Sequence, residues 1–309
     1  MHKCWRRVTS LSIFAPAKLN LFLAITGRRS DGFHDLVSLA APLDFGDTLL
    51  VEHRAAGFIL ESNSTEAPVD ETNLVLKAAR AFAAATGWPG GARFVLEKRI
   101  PVGAGLGGGS SDAVATLRGL NRIAGSPLGA SALDGLAAQL GSDCPLFLRD
   151  AAVVMRGKGE QITLLSAVAR ARLSGRRVLI FKPGFSVATA WAYGRLASIA
   201  PAGYLPARAA EELLATWLQR LETDGFGGTS REMDESLVNT MESAVFAKFI
   251  ALPAMLDLLR TSHGLRPRMS GSGSACFAFL SDDDPVAAII ATIRAGWGDS
   301  AFVMEARLK

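Results

Sequence analysis

The stretch from Pro101 to Ala113, PVGAGLGGGSSDA, places five glycines between a strand-like run and an apolar helix-like run. Backbone amides approach an anion closely only where no Cβ intervenes, and the start of a following helix adds unsatisfied N–H groups and a positive dipole end. A plain strand-to-helix turn rarely needs more than two or three glycines. The segment therefore predicts a phosphate cradle. Ser110 and Ser111 are placed to cap the helix, and their hydroxyls are equally suited to meet phosphate oxygens or a phosphate-bound Mg²⁺.

Two familiar phosphate loops do not account for it. A Walker loop needs Gly-Lys followed by Ser or Thr, and no lysine follows these glycines. Gly103, Gly105 and Gly108 satisfy GxGxxG. A dinucleotide fold would then place a strand ending in an acidic residue about 20 positions later, where the pattern here predicts another helix.

At 309 residues the chain exceeds the size at which one hydrophobic core grows comfortably, so two domains are expected. Strands are predicted in SIFAPAKLNLFLAITG, DTLLVEH and ARFVLEKRI, and a helix in LVLKAARAFAAATG with Gly87 as its cap. Two further helices follow the glycines, and AAVVMRGKGEQITLL predicts a hairpin turning at Gly157 to Gly159. Pro183 and Gly184 close another strand, helices follow around 207 to 222, and the segment to Ser236 reads as a flexible connection. The boundary falls near residue 167, giving domains over 1–167 and 168–309.

Basic and acidic residues number 33 and 29, for a net charge of +4, and are scattered without a long basic run. That pattern argues against a nucleic-acid partner. Cys4, Cys144 and Cys276 lack metal-site or disulfide-framework spacing. Lys3, Arg6 and Arg7 precede apolar residues, but Pro16, Lys18 and Asn20 interrupt the run before it resembles a secretory signal. No membrane association is expected, and a reducing, cytoplasmic location fits best.

Three other stretches carry chemistry. In FAPAKLNLFLAI, strand alternation puts Lys18 and Asn20 on one side and Ala17, Leu19 and Leu21 on the other, with Phe22 continuing the polar side. A solvent-facing strand side is the plainer account of that lysine. In LGSDCPLFL, Asp143 is expected between a helix ending near Gly141 and an apolar strand from Leu146, as either a turn residue or a scaffolded carboxylate. The cluster MSGSGS, with Ser270, Gly271, Ser272 and Gly273, suits an ordinary hairpin loop as well as a ligand loop.

The order PAKLN, then PVGAGLGGGSSD, then MSGSGS, spanning Phe14 to Phe279, resembles the GHMP small-molecule kinases. The stretches GRRSDGFHDL, DETNLVLKAA, GSDCPLFL and RGKGEQITLL resemble the branch that phosphorylates the 2-hydroxyl of a diphosphocytidyl methylerythritol in the non-mevalonate isoprenoid route. The resemblance implies an α+β fold: a catalytic domain like domain 2 of ribosomal protein S5, and a ferredoxin-like C-terminal domain contributing to the substrate cleft.

It also implies roles. Pro101, Gly103, Gly105, Leu106, Gly107, Gly108, Gly109, Ser110 and Ser111 would wrap the ATP phosphates, with Mg²⁺ required, while Asn73 and Lys98 would lie on the adenosine side. Asp143 would accept the substrate hydroxyl proton, and Lys18 would orient Asp143 and stabilise developing charge. Asn20 and the Ser270–Gly273 loop would hold the substrate. His34 would read the cytosine edge, with Phe33 and Tyr193 as stacking partners. The implied partner is thus a small-molecule cytidyl diphosphate, and a monomer or weak homodimer is compatible with the chain.

Departures from the family pattern are Phe33 for a usual tyrosine, Ser142 and Cys144 beside Asp143 where small apolar residues are commoner, and Ala190 for a proline. The first dozen residues have no family counterpart. The competing readings are a homoserine or mevalonate kinase, a silent nucleotide-binding regulator, and an NAD-dependent oxidoreductase.

Overall fold

A computed structural model describes residues 9–223 and 237–309, so Cys4 and all but Thr223 of the connection read over 223–236 lie outside the described residues. Contacts divide the chain into two units: one of Met1–Ala17, Phe45–Val102 and Gly107–Asp150, the other of Lys18–Asp44, Gly103–Leu106 and Ala151–Lys309. The chain passes from one unit to the other within strand β1 (Ser10–Arg28), within strand β2 (His34–Arg54) and within the glycine loop.

In the first unit, β4 (Gly91–Glu97) runs antiparallel to the second half of β2, from Thr48 to Arg54, and parallel to β3 (Phe58–Ser62). Helix α1 (Leu74–Thr86) forms where the pattern predicts it, because Val75, Leu76, Ala79 and Phe82 recur on one face and are buried. Asn73 caps its start by accepting from the Val75 amide, and Gly87 ends it at φ 64°. Helix α2 (Gly108–Ile123) packs close to β2: a Cβ on Gly119 would stand 2.8 Å from Val51 Cγ2. Helix α3 (Ala130–Leu140) follows. Large side chains such as Phe82 and Phe94 leave water completely here, each contributing on the order of 2–3 kcal/mol.

In the second unit, β5 (Val153–Arg156) and β6 (Gln161–Leu164) form the expected hairpin, and β5 pairs with Ser38–Ala40 of β2. An antiparallel sheet of β7 (Arg177–Lys182), β8 (Arg268–Met269), β9 (Cys276–Phe279) and β10 (Phe302–Arg307) has the order β10-β7-β9-β8. That order, with helices between β7 and β8 and between β9 and β10, is the ferredoxin-like arrangement. Leu179, Phe181, Cys276 and Ala278 of the sheet bury against Leu196, Met241, Leu256 and Ile293 of the helices and Ile25 of β1.

Three local expectations are corrected. Leu146 does not begin a strand: Cys144–Leu148 is a 3-10 turn with Pro145 near its start, where a ring that fixes φ and lacks an N–H favours a turn over a ladder. Ser110 and Ser111 do not cap α2, because the helix starts at Gly108 with Gly107 as cap at φ 75° and no side-chain bond. The polar side of β1 does not face solvent: Lys18 is 3% exposed, Asn20 7% and Phe22 0%.

Candidate active site

In the second unit, the site grows from β1. Lys18 is buried, and its ammonium donates to Asn20 Oδ1 and to the Gly105 carbonyl, the latter at 2.9 Å. The Lys18 amide donates to the Leu106 carbonyl at 2.9 Å, so the first half of the glycine loop is fastened to this residue by both backbone and side chain. Asn20 Nδ2 donates to Ser38 Oγ at 2.9 Å, and that hydroxyl donates to the Phe22 carbonyl at 2.7 Å. With each partner occupied, the amide of Asn20 has a single orientation.

The late Gly/Ser cluster is a hairpin loop, β8 pairing with β9 through Met269 and Cys276, and it also braces the glycine loop. The Ala275 amide donates to the Ala104 carbonyl at 3.0 Å, and Ser270 Oγ accepts from the Asn20 amide at 3.1 Å. A Cβ on Gly105 would stand 2.5 Å from the Ser270 carbonyl oxygen, and one on Gly271 would stand 3.1 Å from the Gly105 oxygen. Ser270 and Ser274 are fully buried, and the Ser272 hydroxyl lies 3.0 Å from that of Thr189.

The same unit gathers rings around His34. The imidazole lies 5.0 Å from the Tyr193 ring and 5.9 Å from Tyr204, and it is 8% exposed. Its Nε2 is buried and finds no hydrogen-bond partner among the described residues. Burial first, then the charge of Arg28, lowers its pKa and keeps the ring neutral. Phe33 is half exposed, with the Lys158 ammonium 4.6 Å from its ring centre.

In the first unit, the second half of the glycine loop leads into α2. Ser111 Oγ is buried without a hydrogen-bond partner among the described residues. Asp143 is half-buried immediately before the 3-10 turn, and the next residue, Cys144, reaches back to the first turn of α2 through the Ser110 hydroxyl. A Cβ on Gly141 would stand 3.4 Å from Cys144 Sγ and 4.0 Å from Ser110 Oγ, so the turn carrying Asp143 lies beside Ser110. Burial pushes the Cys144 thiol up to about 12, so it stays protonated.

Lys98 is held by two carboxylates the sequence reading did not single out: Asp47 Oδ2 at 2.5 Å and Asp112 Oδ2 at 3.0 Å. Asp47 Oδ1 accepts from the Arg99 and Ile100 amides at 2.6 and 2.8 Å. Burial raises Asp112 to about 7, while Asp112 Oδ1 has no hydrogen-bond partner among the described residues. Lys98 Nζ would stand 3.0 Å from a Cβ on Gly108, which leaves the ammonium beside the first turn of α2. Asn73, besides capping α1, donates to the Pro68 carbonyl at 2.6 Å.

A model of the GHMP kinase N-terminal domain matches residues 73–154, and one of the GHMP kinase C-terminal domain matches 219–303. A 4-diphosphocytidyl-2-C-methyl-D-erythritol kinase from Methylacidiphilum infernorum is 39% identical over 279 residues, covering 89% of this chain and 88% of that protein. The chain belongs to the GHMP kinases. A crystal structure of a 4-(cytidine 5'-diphospho)-2C-methyl-D-erythritol kinase superposes with a TM-score of 0.73 at 33% identity, covering 96% of this chain and 99% of the other. A homoserine kinase from Cytophaga hutchinsonii shares the fold, with a TM-score of 0.74, 20% identity and coverage of 100% and 97%.

As a GHMP kinase, the protein is an ATP-dependent small-molecule kinase of α+β fold, which sets aside the NAD-dependent reading. Among the described residues no helix is long and apolar enough to cross a membrane. Asp47, Asp112, Ser38 and Tyr204 escaped sequence reasoning. Asp112 alone had a local signal, since it directly follows the two serines of the glycine loop.

Proposed function

We propose that this GHMP kinase transfers the γ-phosphoryl group of ATP to the 2-hydroxyl of 4-diphosphocytidyl-2-C-methyl-D-erythritol, in the cytoplasm, within the non-mevalonate route to isoprenoid precursors. The observation that carries the reading is the buried Lys18 ammonium fastened to Gly105 of a loop whose Gly103, Gly105 and Gly107 all adopt φ between 64° and 79°. Such backbone exposes successive N–H groups to an anion without intervening side chains. Relatives at 33–39% identity over about nine-tenths of the chain carry that activity in their names.

The residues take the following parts. Pro101, Gly103, Gly105, Leu106, Gly107, Gly108 and Gly109 shape the triphosphate cradle, and Ser110 and Ser111 turn hydroxyls to its phosphates. Mg²⁺, when bound, neutralises phosphate charge. The hydroxyls of Ser110 and Ser111 are donors this chain would offer it. Lys98, with a third N–H beyond those given to Asp47 and Asp112, and Asn73 serve the nucleoside side.

Asp143 accepts the proton of the substrate hydroxyl, and Lys18 neutralises charge that develops on transfer. Asn20, with Ser270, Gly271, Ser272 and Gly273, holds the acceptor alcohol. The unpartnered Nε2 of neutral His34 is supplied with a hydrogen bond by the cytosine edge, beside Tyr193 and Phe33. We further propose a functional division near residue 167, into 1–167 and 168–309; the two family models fall on either side of it. The protein acts as a monomer or weak homodimer on a small molecule rather than on nucleic acid.

Incubation with ATP, Mg²⁺ and the cytidyl polyol, followed by phosphorus NMR, should show a new phosphomonoester and ADP. Homoserine and mevalonate in parallel should give neither; turnover of either, with none of the cytidyl compound, would replace this substrate by a sibling's.

A further inference from the structure

Asn239 lies outside every stretch that sequence reasoning singled out, yet it is a 7% exposed amide whose hydrogen-bonding atoms are engaged. Its Nδ2 donates to two carbonyls of the late hairpin, Met269 at 2.7 Å and Gly271 at 2.9 Å. Its Oδ1 accepts from the Met241 amide at 3.0 Å. The residues beside it grip β1: the Leu23 amide donates to the Val238 carbonyl at 2.7 Å, the Thr240 amide to the Leu23 carbonyl at 2.9 Å, and the Ile25 amide to Thr240 Oγ1 at 2.9 Å. Glu242 completes the segment by accepting from the Met269 amide at 2.9 Å.

One short segment thus joins the strand that carries Lys18 and Asn20 to the loop that braces Gly105. Between these two attachments stand the Asn20 amide on Ser270 Oγ and the Lys18 ammonium on the Gly105 carbonyl. Backbone at Gly271 and Gly273 has φ of 59° and 80°; the Ser270 amide on the Ala275 carbonyl at 2.9 Å and the Gly273 amide on the Ser270 carbonyl at 3.0 Å close the turn, and the Met269 and Gly271 carbonyls need a restraint of their own. A single side chain that donates to two of its carbonyls supplies that restraint.

We propose that Asn239 is a positioning residue for phosphoryl transfer, a buried double donor that sets the Met269–Gly271 backbone and through it the alignment of Lys18 with the glycine loop. The inference rests on the reading of Lys18 as a group that neutralises charge in the reaction. A loosened loop then lowers the chemical step, while ground-state binding of the cytidyl substrate, whose base rests on His34, Tyr193 and Phe33, changes less.

The test compares Asn239→Ala, which removes both donors, with Asn239→Asp, which keeps the shape and replaces the donor by an acceptor facing two carbonyls. Both are measured in the full chain beside Lys18→Met, with thermal unfolding and kcat corrected for the folded fraction. The expected result is a fall in kcat of on the order of ten- to a hundredfold, with KM for the cytidyl substrate within about threefold of the parent. Asn239→Asp should recover part of its kcat as the pH falls and the carboxyl regains a proton to donate, whereas Asn239→Ala should not.

Full kcat in either folded variant, loss only in proportion to the folded fraction, or failure of both variants to fold would each assign Asn239 to stability alone and overturn the proposal. Should Lys18→Met itself keep full kcat, the underlying reading of Lys18 fails instead.

Discussion

The ammonium of Lys18 donates to the carbonyl oxygen of Gly105, 87 residues later in the chain. The carbonyl also lies 3.4 Å from Ser270 Oγ, so three motifs meet at one peptide group. Gly105 has φ 79°, and a Cβ there would come within 2.5 Å of the Ser270 carbonyl oxygen. No flexible side chain stands in the way to yield; backbone would have to move.

Gly105→Ala should therefore cost roughly 1–3 kcal/mol of stability and displace the Lys18 ammonium from its acceptor. Gly129→Ala is the control, because Gly129 has φ −78° and nothing within 4 Å of a new Cβ. Calorimetric melting of the two variants, with kcat at a temperature where both are folded, checks this. Equal melting temperatures would show that the loop tolerates a side chain.

Asp143→Asn keeps the shape of the side chain and removes its basicity. Turnover should fall roughly a hundred- to ten-thousandfold, with ATP affinity by titration calorimetry near that of the parent. An unchanged rate would remove Asp143 from proton transfer.

His34→Ala deletes the ring whose Nε2 is buried without a partner among the described residues. KM for the cytidyl substrate should rise roughly ten- to a hundredfold, while KM for ATP stays put. Parallel rises in both constants would show that the ring supports the fold and does not read the base.

Asp112 ties pH to stability. Burial raises its pKa from 3.8 to about 7, so the folded protein keeps a proton that the unfolded chain has already released. Stability consequently declines as the pH climbs from about 4 through about 7, and the cost is complete above that range. Asp112→Asn leaves Lys98 its contact with Asp47 and removes the ionisation, so it should flatten the dependence and be more stable at pH 8 by about 1–3 kcal/mol. Denaturant titrations at pH 5, 6.5 and 8 decide it: parallel curves for the parent and the variant would mean that Asp112 is ionised throughout.

Local signals located many of the elements. Helix α1 was legible because Val75, Leu76, Ala79 and Phe82 repeat with helical spacing between a capping asparagine and a left-handed glycine, all within 15 residues. The run Leu146–Phe147–Leu148 was misread as a strand, since three apolar residues have no period to distinguish strand from 3-10 turn. The serines after Gly109 were taken as caps because hydroxyls usually fill that place, whereas here the glycines themselves enter the helix.

The chemistry divides along the same line. Which groups are present, a lysine and an amide on one strand side, a glycine cradle, a carboxylate in a loop, is written in short motifs and was readable without coordinates. What each group is bonded to was not. Alternation along β1 records only which residues share a face; that the face carrying Lys18 is covered was decided by residues elsewhere in the chain. Asn239, Asp47 and Ser38 carry no motif because a buried hydrogen bond depends on where two distant backbones come to rest, and side-chain identity at neighbouring positions holds no record of that distance.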